Sequence, residues 1–224
     1  MQAVILAGGK GTRLGFLTKN APKPMLVVNK KPFLEHLLIN LKRNGIKDIV
    51  LCIGYLSYKI KDYFKDGSKF GLKISYSTET RLLGTGGALK KAENFLNHSF
   101  ILLNGDTYLP VDYSGLFRHF RKLNKKGLIV VCKAGNKRGN ISLKGNLVVN
   151  YNKKYKNMKF TDAGVQIFRK DILNLIAANK FVSLEERIFP KLIREKQLAA
   201  YMSKKKFYDI GTRRGLKIIR GILK

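Results

Sequence analysis

The chain is poor in three things, and each scarcity removes a class of protein. Its 224 residues hold only two cysteines, Cys52 and Cys132. Each stands inside an apolar run, IVLCIGY and LIVVCKA, so both read as small buried hydrophobes in a reducing compartment, with neither a disulfide nor a metal site. No stretch reaches the roughly 18 apolar residues that a membrane helix needs. The opening MQAVILAGG is apolar, but no basic segment precedes it and it runs straight into glycines and charge, so a secretory signal is not expected. These features together place the protein in the cytoplasm. Acidic residues are the third scarcity: 14 stand against 45 lysines and arginines, for a formal net charge of +31 at pH 7.

What is present is enough for a packed core, with 45% hydrophobic and 10% aromatic residues. The basic excess has three readings. It is a compositional habit with lysines solvated on the surface, a field that steers anionic substrates or meets an anionic membrane surface, or a nucleic-acid footprint. The last is the weakest. The cations are scattered along the whole chain, no helix-turn-helix, zinc-finger or RNA-binding aromatic pattern occurs, and no nucleic-acid partner is expected.

Apolar runs of strand length alternate with helical patterns through the first two thirds. Residues 3–7, 48–54, 72–78, 100–104 and 128–133 read as strands, several of them apolar throughout and so covered on both faces. Residues 32–43, 57–64, 87–96 and 113–124 read as helices, the first with Pro32 in its first turn and Gly45 just past its end. This predicts an α/β fold, a mostly parallel sheet between helical layers. After Ala134 the rhythm changes. Residues 140–143 and 146–150 flank Lys144-Gly145 as a hairpin, 163–168 read as a strand, and 170–179 and 184–196 as helices. Short strands at 199–202 and 207–210 precede a last helix from Thr212, whose Leu216, Ile218, Ile219 and Ile222 are expected to pack on the domain. With no repeat or linker, 1–224 read as one domain, with 1–134 as its core and 135–224 as a substrate-side and C-terminal part.

The most informative stretch is Leu6-Ala7-Gly8-Gly9-Lys10-Gly11-Thr12-Arg13-Leu14, leaving the first strand at its carboxyl end, where open α/β sheets bind ligands. Glycines let backbone amides approach a polyphosphate, and Lys10 and Arg13 add cationic donors. It is neither a GxGxxG fingerprint nor a Walker loop, since GKGTRL ends in Leu14 and no GxxxxGK[ST] string occurs. In Ala21-Pro22-Lys23-Pro24-Met25, two prolines fix an extended backbone around one cation, which lowers the entropy cost of a phosphate contact. Leu83-Gly84-Thr85-Gly86-Gly87-Ala88 offers a second glycine cluster on the same sheet edge for a nucleobase or ribose. Asn104-Gly105-Asp106 ends a buried strand with a hard-oxygen ligand suited to Mg²⁺. Asp209, between aromatic and apolar residues in FYDIGT, is the candidate second acid, because a carboxylate there needs a cation partner.

In this order, LAGGKGTRL, APKPML, LGTGGAL, LNGD and YDIGT resemble the motifs of the sugar-1-phosphate nucleotidyltransferases over essentially the whole chain. The resemblance implies a Rossmann-like three-layer α/β/α core with a small β-rich sugar-binding region, and a Mg²⁺-dependent in-line attack of a sugar-1-phosphate on the α-phosphorus of a nucleoside triphosphate. It further implies Leu6, Ala7, Gly8, Gly9, Gly11, Thr12 and Asn104 around the nucleotide, Arg13 on the leaving pyrophosphate and Lys23 at the α-phosphate. Gly84, Thr85 and Gly87 would read base and ribose, and Asp106 and Asp209 would hold the metal. Gly139, Asp162 and Gly164 match positions facing the sugar. Lys154 keeps the lysine of a Phe-x-Glu-Lys pattern that here reads Tyr151-Asn152-Lys153-Lys154, with lysine in place of the glutamate. The strings look most like bacterial heptose and mannose 1-phosphate guanylyltransferases, which supply precursors of cell-surface polysaccharide. DGSKFGLKISYS also resembles N-acetylmuramate-1-phosphate uridylyltransferases. Uridylyl or thymidylyl transfer, a non-catalytic nucleotide-sugar-binding regulator, and a homo-oligomer stay open at this stage.

Overall fold

The computed structural model describes residues 1–135, 139–152 and 158–223. Its strands are β1 (Gln2–Ala7), β2 (Val27–Val28), β3 (Lys31–Pro32), β4 (Asp48–Ile53), β5 (Lys73–Thr78), β6 (Ser99–Asn104), β7 (Thr107–Tyr108), β8 (Gly127–Lys133), β9 (Ile141–Lys144), β10 (Leu147–Tyr151), β11 (Phe160–Arg169), β12 (Leu198–Met202) and β13 (Tyr208–Asp209). The α-helices are α1 (Phe33–Arg43), α2 (Ser57–Phe64), α3 (Gly84–Lys91), α4 (Tyr113–Lys122), α5 (Phe189–Arg194) and α6 (Arg213–Ile222).

Nine strands form one sheet in the order β5-β4-β1-β6-β11-β8-β12-β10-β9. From β5 to β6 every neighbour is parallel. Beyond β6 the sheet is mixed: β11 enters antiparallel between β6 and β8, β12 joins β8 in parallel, and β10 and β9 follow as an antiparallel hairpin. The chain after residue 135 therefore supplies a central strand as well as the hairpin edge.

Strand alternation explains the layering. Along β1, Ala3, Ile5 and Ala7 enter one core with Phe33, Leu37 and Leu41 of α1, Phe64 of α2, Phe120 of α4 and Ile219 of α6. Val4 points the other way, into a second core with Leu89 of α3 and Phe189 and Leu192 of α5. Because every central strand is apolar on both faces, the sheet must be covered twice, and the result is a Rossmann-like α/β/α sandwich.

Three departures from the sequence reading have local causes. Helix α3 begins at Gly84, not at residue 87: the glycine cluster is the first turn of the helix, despite glycine's poor helix propensity, because another segment packs on it. Residues 170–179 hold only a 3₁₀ stretch, Lys170–Leu175. The expected helix at 184–196 opens as a π-type turn, Leu184–Ile188, before α5, because Pro190 has no N–H for an ordinary i to i−4 bond. In α6, Leu216 and Ile219 are buried as expected, whereas Ile218 and Ile222 stay 45% and 41% exposed.

Candidate active site

The carboxyl ends of β4, β1 and β6 lie side by side, with Leu6 in register with both Cys52 and Asn104. A cavity of about 360 Å³ opens above them, within the size range of small-molecule sites. Of the residues read from sequence, Leu6, Ala7, Gly8, Gly9, Arg13, Lys23, Gly84, Thr85, Asn104 and Asp106 line it. Gly11, Thr12, Gly87, Asp209, Gly139, Asp162 and Gly164 are not in its wall, and Lys154 lies outside the described residues.

Charged side chains gather at one end. Lys23, in the 3₁₀ turn Lys23–Met25 after extended Pro22, is nearly buried, and its Nζ stands 2.8 Å from Oδ2 of Asp106. Asp106 in turn accepts at Oδ1 from the Thr107 hydroxyl at 3.2 Å. Asp209 stands close behind: β7 pairs with β13, setting Asp209 opposite Thr107, and the Ile210 amide donates to the Asp106 carbonyl at 2.9 Å. Burial, and then the neighbouring Asp106 charge, push the Asp209 carboxyl above the usual range, against the opposing pull of the Gly211 amide, Arg13 and Lys23.

Among the described residues no group of three His, Cys, Asp or Glu side chains gathers for a metal. Two carboxylates that repel each other beside an open cavity nonetheless fit a divalent cation whose other ligands are phosphate oxygens and water.

The opposite end carries an acid that the sequence reading passed over. Glu79 follows β5 and lies over Gly8 and Gly54, where an added Cβ would come within 2.6 Å and 3.1 Å of its Oε1. Its Oε2 accepts from the Leu83 amide at 3.3 Å, and burial, its largest influence, raises its carboxyl above the usual range. In Ser77-Thr78-Glu79-Thr80-Arg81 its sequence neighbours are polar, so the only signals were the scarcity of acids in this chain and its place just after a strand on the sheet edge that carries the glycine loops. Glu185, in the π-type turn, also lines the cavity and was missed. Thr85 does not offer its hydroxyl outward: it donates to Glu185 at 2.7 Å and accepts from the Leu184 amide at 2.9 Å. The amides of Gly86 and Gly87 are likewise engaged, both by the Val182 carbonyl.

In the sugar-side region, Asp162 works inward. Its carboxylate accepts from the Gly164 amide at 2.8 Å, the Gln166 side-chain amide and the Tyr151 hydroxyl, and Tyr151 is raised above its ordinary range by burial and then by Asp162. Gly164, at φ +73°, presses on Thr107, where a Cβ would meet that side chain at 2.9 Å. Gly139 bridges to Met158. Of these residues, Gly164 packs against Thr107 of β7, the partner of Asp209.

Residues 2–218 match the family model described as "Nucleotidyl transferase". The chain is 40% identical over 191 residues to the D-glycero-alpha-D-manno-heptose 1-phosphate guanylyltransferase of Campylobacter jejuni, covering 83% of this chain and 84% of that protein. It is 33% identical over 236 residues to the mannose-1-phosphate guanylyltransferase of Mycobacterium tuberculosis, covering 99% of this chain and 66% of that one. Among solved structures, HddC from Yersinia pseudotuberculosis complexed with GMP-PN superposes with a TM-score of 0.84 at 28% identity, over 100% of this chain and 99% of that one.

Proposed function

This chain belongs to the nucleotidyl transferase family, and from that premise we propose that it joins GTP to a heptose or mannose 1-phosphate, forming the GDP-sugar and releasing pyrophosphate. The reaction class, sugar-1-phosphate nucleotidyl transfer, is that of both relatives. One observation carries the assignment of parts: Lys23 and Asp106 meet in the cavity wall, with Asp209 held behind Asp106 by the β7–β13 ladder, while Glu79 lines the same cavity.

A phosphate oxygen of the sugar-1-phosphate attacks the α-phosphorus of GTP, and the bond from that phosphorus to the bridging oxygen of the β-phosphate breaks in line. The protein needs no nucleophile; it positions two anions and neutralises charge. Amides of Gly8, Gly9, Gly11 and Thr12 cradle the triphosphate, with Leu6, Ala7 and Asn104 beneath. Arg13 pairs with the departing pyrophosphate, and Lys23, already held at the carboxylates, meets the charge that grows on the α-phosphate. Asp106 and Asp209 would hold Mg²⁺, which would supply charge neutralisation for the reacting phosphates. Gly139, Gly164 and Lys154 border the sugar phosphate, with Asp162 fixing the Gly164 turn. Gly84 faces the ribose, with Thr85 and Gly87 shaping the wall behind it.

Glu79 selects the base. A carboxylate accepts two parallel hydrogen bonds from the N1–H and N2–H₂ edge of guanine. Uracil and thymine offer one N3–H between two carbonyls that repel a carboxylate, so the geometry favours GTP. The product, an activated sugar, belongs to cytoplasmic assembly of cell-surface polysaccharide.

The test is pyrophosphate release with Mg²⁺ from each of GTP, UTP, dTTP and CTP, paired with heptose, mannose and N-acetylmuramate 1-phosphates. GTP with a neutral hexose or heptose phosphate is expected to lead. Equal release from UTP overturns the base assignment, and no release from any pair overturns the enzymatic one.

A further inference from the structure

The glycine loop that follows β1 is lightly packed. At Gly9 and Gly15 an added Cβ would meet nothing within 4 Å, and Phe16 is 79% exposed. With so little packing at these points, the loop's course depends on where its ends are tied. Both ends are tied by one residue. The Tyr55 amide donates to the Gly8 carbonyl at 3.2 Å, where the loop leaves the sheet, and the Tyr55 hydroxyl donates to the Lys19 carbonyl at 2.8 Å, where the loop ends. Lys59, one helical turn further along, donates its Nζ to the Asn20 carbonyl. The turn that carries Tyr55 is itself held in an uncommon backbone: Leu56 takes φ 49° and ψ 38°, a left-handed conformation that bulky side chains rarely adopt and that concentrates at functional sites. Inside the loop, the buried Thr18 hydroxyl donates to the Gly11 and Gly15 carbonyls. Gly11 in turn lies against the Lys23 stem, where an added Cβ would come within 3.2 Å of Lys23 Cβ.

We propose that Tyr55 is a positioning residue for the triphosphate: by holding the Gly8 and Lys19 ends of the loop together, it fixes the amides of Gly9, Gly11 and Thr12 and the Arg13 side chain in the arrangement that receives the outer phosphates. This inference rests on the function proposed above. Gly8, Gly9 and Arg13 line the cavity and Tyr55 does not, so its effect passes through the loop. A loop fixed beforehand loses little conformational freedom when a polyphosphate arrives, whereas a loop released at Lys19 must be ordered by the ligand. The nucleoside end, assigned to Glu79 and Gly84, is not held by the Lys19 anchor. The loss on releasing that anchor therefore falls on the phosphates and not on the base.

The experiment compares wild type with Tyr55→Phe, which keeps the ring and the bond to Gly8 and removes only the anchor on Lys19. Tyr58→Phe, which removes an exposed hydroxyl from the adjoining first turn of α2, is the control. Calorimetric titrations with Mg²⁺ use GTP and GMP as probes, and amide hydrogen exchange of the unliganded protein follows residues 9–18. Tyr55→Phe is expected to weaken GTP binding by about three- to tenfold, the worth of one hydrogen bond, with GMP within about twofold. Exchange across 9–18 should quicken, and Tyr58→Phe should match wild type in both measurements. Equal weakening of GTP and GMP, unchanged GTP affinity, or the same losses in Tyr58→Phe would show that Tyr55 does not position the triphosphate. Unchanged exchange in Tyr55→Phe would show that it does not clamp the loop at all, and this arm needs no ligand. If wild type binds neither nucleotide, it is the proposed function that falls, while the exchange rates still decide the clamp.

Discussion

Lys23 holds its Nζ 2.8 Å from Oδ2 of Asp106 across 83 positions of sequence, with only 11% of its side chain exposed. A nearly buried ammonium is tolerated because a carboxylate faces it, and that carboxylate also fixes where the ammonium points. Lys23→Ala removes a positive charge aimed at the reacting phosphate and is expected to lower kcat by roughly 10²–10³-fold, the usual loss for one preorganised electrostatic donor. KM for GTP should move only a few-fold. Steady-state kinetics decide the point, and a variant that loses GTP affinity while keeping kcat would make Lys23 a binding residue.

Asp209 reaches the site through the β7–β13 ladder and not through the cavity wall. Asp209→Asn keeps that ladder but halves the carboxylate pair. Turnover should fall by two orders of magnitude or more, on the order of several kcal/mol of lost charge stabilisation, and the Mg²⁺ concentration for half-maximal rate should rise. A Mg²⁺ titration of pyrophosphate release with an unchanged midpoint would remove Asp209 from the metal site.

Gly164 sits behind the same ladder. Its φ of +73° strains any other residue, and a Cβ would press on Thr107, the partner of Asp209. Gly164→Ala is expected to cost about 1–3 kcal/mol of stability and to lower turnover by displacing Asp209, though residue 164 itself is outside the cavity wall. A denaturant midpoint and kcat, measured together, check both effects; a stability loss with unchanged kcat would disconnect the turn from the carboxylates.

The parallel half of the sheet was legible because 3–7, 48–54 and 100–104 are nearly all apolar, which only a doubly covered strand requires. The cavity-lining glycine loop was legible because glycines and cations follow the first of those strands. Packing between distant segments was not. Gly84 starts a helix that glycine propensity disfavours, since its partner, Val182, is remote in sequence. The π-type turn precedes Pro190 and is hydrogen-bonded to Thr85, which is remote in sequence, and periodicity alone reads that region as one ordinary helix. The resemblance implies that Asp162 faces the sugar, and its hydrogen bonds with Tyr151, Gly164 and Gln166 are contacts that only the fold displays.

Under the proposed function, Glu79 links base choice to stability. Burial raises its carboxyl above the ordinary glutamate range, so the folded state disfavours the charge that the proposed guanine contact needs. For a raised pKa, the stability contribution is full below the unfolded value and is lost as pH climbs through the folded value. The unliganded protein should therefore lose stability over the window from the ordinary glutamate range up to that raised value. Glu79→Gln has no such titration and is expected to show a flatter Tm–pH profile and a higher unliganded Tm at neutral pH. With GTP present the order should reverse, because the amide accepts at only one of the two positions. Its kcat/KM for GTP should drop by about 10–100-fold, in line with the worth of one bidentate contact to a base, with less change for UTP. In wild type, KM for GTP should rise as acid protonates Glu79, beginning above the pH at which an ordinary glutamate titrates. Parallel Tm–pH profiles for the two proteins would show that Glu79 carries no desolvation penalty, and an unchanged GTP-to-UTP ratio in the variant would show that another group reads the base.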